Sequence, residues 1–144
     1  MADRENALSK LYTRLIDSRD GYRDAAERAD SAHIKQTLTE LGEKRTRDAA
    51  ELRSHLARMG HELDEDGSIL ASAHRTFLGI KDSVTGQGDD AIIAEIVRGE
   101  ESLHDAYHTA LEASTPGQPE YAMLKEQHDA LYARIQAFKA QKAA

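Results

Sequence analysis

Four stretches of this chain repeat apolar residues at alternating steps of three and four. That spacing puts them on one side of an α-helix, with an average seam period near 3.5. The first seam is Leu8, Leu11, Leu15, Ser18, Tyr22 and Ala25, with Tyr12 and Ala26 beside it. The second is Ile34, Leu38, Leu41, Arg45, Asp48, Leu52, His55 and Met59. The third is Ile93, Ile96, Glu100, Leu103, Tyr107 and Ala110, and the fourth is Tyr121, Leu124, His128, Leu131, Ile135 and Phe138. A helix with one apolar seam must bury it against another element, so four such helices constrain the chain to a bundle. The expected helices span about 4–29, 32–59, 90–113 and 120–141, bounded by Asp30-Ser31, Gly60, Asp89-Asp90 and Ser114 to Pro119. No stretch alternates as a strand would.

The connections set the topology. About two residues join the first two helices and about six join the last two, so each pair is expected to form an antiparallel hairpin. Roughly 30 residues separate the second helix from the third, and a connection that long needs structure of its own. Ile69, Leu70, Ala73, Phe77, Leu78, Ile80 and Val84 predict a short amphipathic helix at 68–85. The expected fold class is all-α: a ferritin-like four-helix bundle with one long crossover containing a short fifth helix, in a single domain over 1–144.

Composition narrows the partners. The net charge of −7 repels phosphate backbones, so no nucleic-acid partner is expected. With no cysteine, disulfides, thiolate metal sites and cysteine nucleophiles are excluded. The charged segment Met1 to Asn6 has no apolar signal core, and no run approaches the roughly 18 apolar residues of a membrane span. A cytoplasmic location without stable membrane association is the expectation. No Gly-rich phosphate loop or nucleophile elbow is present. The crossover segment is apolar on more than one face, which suggests a homo-oligomer, with a dimer formed through it.

Several motifs carry a family likeness. Gly21-Tyr22-Arg23-Asp24-Ala25-Ala26-Glu27 closes the first helix, and Leu41 to Leu52 carries Arg45 near its centre. Ser68-Ile69-Leu70-Ala71-Ser72-Ala73-His74-Arg75 opens the crossover, and Arg98-Gly99-Glu100-Glu101 precedes Tyr107-His108-Thr109-Ala110-Leu111. Together they resemble a bacterial four-helix-bundle domain family of unknown function in the ferritin-like superfamily. The resemblance covers nearly the whole chain. It implies the fold and a stress-related role, and it implies no established reaction.

The seams are interrupted by polar residues, and a buried charge in a bundle must be paired or bind something. Ferritin-like di-iron proteins take a Glu from each of two helices and a Glu-x-x-His from each of the other two. Here Glu51 and His55 are four apart, Glu126 and His128 two apart, and only Glu101 and His104 have that spacing. No seam-facing carboxylate is evident on the first helix, and Arg45 brings a permanent cation to the spot where metal would sit. The expectation is therefore a salt-bridged polar layer of Arg45, Asp48, Glu100 and His128, closed by Tyr22 and Tyr107. On that reading the protein is a structural or interaction protein with no cofactor and no enzymatic activity. The alternative is a metal-binding protein or oxidoreductase, with iron or manganese held by Glu51, His55, Glu100, His104 and His128. A third reading has Arg45 receiving a small anion. Elsewhere, His104 and His108 lie four apart and could chelate a surface metal. His33 and His61 are expected as caps, and His74 as a packing or capping residue.

Overall fold

The computed structural model describes residues 2–60 and 88–143. The expected crossover helix at 68–85 lies outside them, as do His61 and His74. The described residues form four α-helices and no strand: α1 (Ala2–Arg28), α2 (Ala32–Arg58), α3 (Gly88–Ala113) and α4 (Pro119–Ala143).

The helix ends follow local chemistry. Ser31 caps α2, its hydroxyl accepting from the Ile34 N–H at 3.4 Å. Lys35 Nζ donates to the carbonyls of Ala26 at 2.8 Å and Glu27 at 3.2 Å, which satisfies the open C-terminus of α1. Gly60 follows α2 with φ 81°, in the left-handed region that side chains avoid. Pro119 opens α4 at the first helical position, where no N–H is needed. Asp89 does more than begin α3: its carboxylate accepts from the N–H groups of Asp30 at 2.8 Å and Ser31 at 3.0 Å. The α1–α2 turn is thereby fastened to the first turn of α3.

These contacts give the directions. Arg28, at the end of α1, pairs with Glu95 near the start of α3 at 2.5 Å. Arg4, at the other end of α1, pairs with Glu120 at the start of α4 at 3.3 Å and bonds Gln118. Helix α1 therefore runs antiparallel to α2 and α3, and α2 runs parallel to α3. The closest packing is α1 on α2 and on α3, then α3 on α4, with a lighter contact between α2 and α4.

Among the described residues the core falls into two apolar clusters. One holds Leu8, Leu11, Leu15, Leu52, Leu56, Leu103, Leu124, Leu131 and Ile135; the other holds Tyr22, Leu38, Leu41, Ile93, Ile96 and Phe138. Along α1 the break falls after Ile16, along α2 between Leu41 and Ala49, along α3 between Ile96 and Leu103, and along α4 between Ile135 and Phe138. Arg45, Asp48 and Glu100 are buried in that gap.

Candidate functional site

The divide between the clusters is built from three helices. Glu100, on α3, receives one hydrogen bond from Ser18 Oγ at 2.8 Å and another from Tyr22 Oη at 2.7 Å, both from α1. On the same carboxylate oxygen as Tyr22 lies Nη2 of Arg45, from α2. The second guanidinium nitrogen reaches Asp48 at 3.4 Å, and Lys44 approaches the other Asp48 oxygen at 3.5 Å. The Arg45 guanidinium also lies 5.7 Å from the centre of the Tyr22 ring, within cation–π range. Arg45 Nε is buried with no hydrogen-bond partner among the described residues.

Local sequence explains the arrangement. Arg45 and Asp48 are three apart and so share one face of α2. Gly42, one turn earlier, lets α2 approach α1: a Cβ there would lie 3.4 Å from Tyr22 Cβ and 3.8 Å from the Arg19 carbonyl.

Electrostatics keep the donors as donors. Burial, and then the Glu100 charge, push the Tyr22 phenol well above its usual value, so it stays protonated. Burial works to discharge Arg45, but Glu100, Tyr22 and Asp48 together outweigh it and hold the guanidinium charged. At Asp48 burial prevails over Lys44 and Arg45 and raises the carboxyl above its ordinary value.

A second polar group lies in the cluster of Leu8, Leu103 and Leu131, the lower one here. Tyr107 Oη donates to Gln127 Oε1 at 2.6 Å, and Gln127 Nε2 donates to Glu51 at 3.0 Å. Burial, and then Asp48, raise the Tyr107 phenol well above its usual value.

Of the residues expected in one layer, Arg45, Asp48, Glu100 and Tyr22 meet, whereas Tyr107 bonds in the separate Gln127 group. His128 lies elsewhere. It is on the flank of α4, its ring tilted against that of His104 with centroids 4.5 Å apart, and its Nδ1 lies 2.9 Å from the Asp129 carboxylate. Burial, and then the His128 ring, lower the pKa of His104. The hydrogen bond from His128, then that from Lys125, hold the Asp129 carboxyl below its usual value.

The proposed metal donors are dispersed. Glu51 is exposed and taken by Gln127, His55 lies in the last turn of α2, and His104 and His128 meet each other, whereas Glu100 bonds Ser18, Tyr22 and Arg45. Among the described residues no group of three or more His, Asp or Glu side chains is placed to hold a metal ion. These residues do not fit a di-iron centre, because both oxygens of Glu100 already accept from Ser18, Tyr22 and Arg45.

Three buried participants are not evident from the apolar spacing: Glu95, Glu120 and Gln127. The first two pair with Arg28 and Arg4, and the helix-end position of those arginines is the only sequence signal for them.

No described helix is long and apolar enough to cross a membrane. Neither a curated protein nor a solved structure matches the chain. A family model does match, over residues 3–113, from the first turn of α1 to the end of α3, and the chain belongs to that family, the Domain of unknown function (DUF2383).

Proposed function

We propose that this protein is a non-enzymatic ferritin-like bundle with a structural or interaction role, stress-related as the family likeness implies. In it, the salt-bridged layer stands where relatives of that superfamily hold a di-iron centre. The observation that carries this reading is the closure of Glu100. Its two oxygens accept from an arginine, a tyrosine and a serine, which fill both lone-pair sites of one oxygen and one of the other, and the arginine sets a fixed positive charge where a shared cation would lie. The parallel run of α2 and α3 supports the one-crossover topology that the ferritin-like reading requires. A cytoplasmic location and a homo-oligomer belong to the same proposal, and the net charge of −7 argues against nucleic acid as the partner.

The test is metal analysis of protein purified without chelator, before and after incubation with ferrous iron or manganese. Substoichiometric metal, unchanged in Glu100→Ala, is the expected result. Stoichiometric iron or manganese that disappears in Glu100→Ala would overturn the proposal and restore the oxidoreductase reading.

A further inference from the structure

The two imidazoles that meet between α3 and α4, tilted against each other, are outside the core layer and unused by it. His104 is half-buried on α3, and its Nε2 is shielded from solvent with no hydrogen-bond partner among the described residues. His128 is half-buried on α4, with its ring tilted 33° to that of His104. A carboxylate can only accept, so the 2.9 Å contact between His128 Nδ1 and Asp129 makes Nδ1 the protonated nitrogen. In the neutral ring this leaves Nε2 with a free lone pair. A carboxylate behind a histidine in this way is the arrangement that orients metal-bound imidazole.

The spacing suits ligation. Imidazole nitrogens about 2.0–2.1 Å from a metal put two ring centroids roughly 4.5 Å apart in neighbouring right-angled positions, against roughly 5.2 Å in tetrahedral ones. The observed separation is 4.5 Å. Right-angled nitrogen positions are those of tetragonal copper(II) and nickel(II). The geometry points to His104 and His128 as a two-imidazole site for copper(II) or nickel(II), joining α3 to α4, with Asp129 as its positioning residue and water in the remaining positions. This site differs from a ferritin-like centre in place, on the bundle flank, and in donors, which are nitrogen rather than shared carboxylate.

The experiment uses the full chain without a histidine tag, stripped with chelator and titrated with copper(II) chloride or nickel(II) chloride. Calorimetry and thermal unfolding follow the binding. One equivalent is expected to bind and to raise the unfolding temperature, since a ligand that spans two helices binds only the folded state. His104→Gln and His128→Gln each abolish both effects. Asp129→Asn, at an exposed position, weakens binding about tenfold. His55→Gln and His108→Gln leave binding unchanged, with circular dichroism showing each variant as helical as its parent. Absence of binding would overturn the proposal. So would binding that survives His128→Gln but is lost in His108→Gln, the signature of a chelate along α3 alone.

Discussion

Glu100 carries more of the fold than any one of its partners, because it is where α1, α2 and α3 meet. Removing it leaves the buried Arg45 with only its longer 3.4 Å contact to Asp48, and breaking a buried pair from one side costs about 3–5 kcal/mol. Glu100→Ala is expected to lose about that much in urea unfolding. Replacing both partners together, as Arg45→Met with Glu100→Leu, removes the desolvated charges as a pair and is expected to come within about 1–2 kcal/mol of the parent. A double variant as unstable as Glu100→Ala alone would show that the layer stabilises beyond satisfying itself. Asp48 behaves differently. Its folded pKa is raised above the unfolded value of about 3.9, so the native state binds that proton more tightly than the unfolded one. The ionised form therefore subtracts from stability above the folded pKa, and the penalty fades as the pH falls towards the unfolded value. Asp48→Asn is expected to equal or exceed the parent in stability near pH 7 and to lose that margin towards pH 4. Urea midpoints across this range check it, and a variant weaker than the parent near pH 7 would contradict it.

At the scale of the helix, periodicity, caps and breaks in the sequence place α1 and α2 within a residue or two and mark the turn before α4. The face of α4 is less legible. The seam through Tyr121 and His128 puts those residues inward, yet Glu120 and Gln127 are the buried ones, each one position earlier. The reason is pairing across the bundle. Arg4 draws Glu120 inward and Tyr107 draws Gln127, so a carboxylate and an amide occupy positions that apolar spacing alone assigns to their neighbours. Long-range partners of this kind leave no mark in the local period, and the same holds for Arg28 and Glu95. Gly42 is the opposite case, since a glycine inside a helix signals a close approach and α1 makes one there. A methyl at that position meets Tyr22 Cβ at 3.4 Å, an ordinary contact, while helix propensity favours alanine by about 1 kcal/mol. Gly42→Ala is expected to be neutral or stabilising by up to that amount. Gly42→Leu has no room and is expected to destabilise by about 1–3 kcal/mol as α1 is forced away. Thermal and urea unfolding of the two variants, read side by side, would separate packing from propensity.

For the whole molecule, the family match ends where α3 ends, but the core does not. Helix α4 contributes Met123, Leu124, Leu131, Ile135 and Phe138 to the buried apolar set, and Gln127 to the Tyr107 group. Full burial of side chains of this size is worth about 1.5–3 kcal/mol each, so α4 supplies on the order of 10 kcal/mol of apolar burial. That matches the entire net stability of a typical domain, roughly 5–15 kcal/mol. Without α4, Leu103, Tyr107 and Ala110 of α3 would lose neighbours in the lower cluster, and Arg4 would lose Glu120. The segment that carries the family likeness is therefore expected not to fold alone. A chain ending at residue 113 should show reduced helicity, no cooperative thermal transition and exposed apolar surface that binds a hydrophobic dye. Adding residues 114–144 as a separate peptide should restore part of the transition if the burial argument holds. A truncated chain that melts as sharply as the whole protein would mean that α1 to α3 hold a sufficient core, and that α4 is an accessory to it.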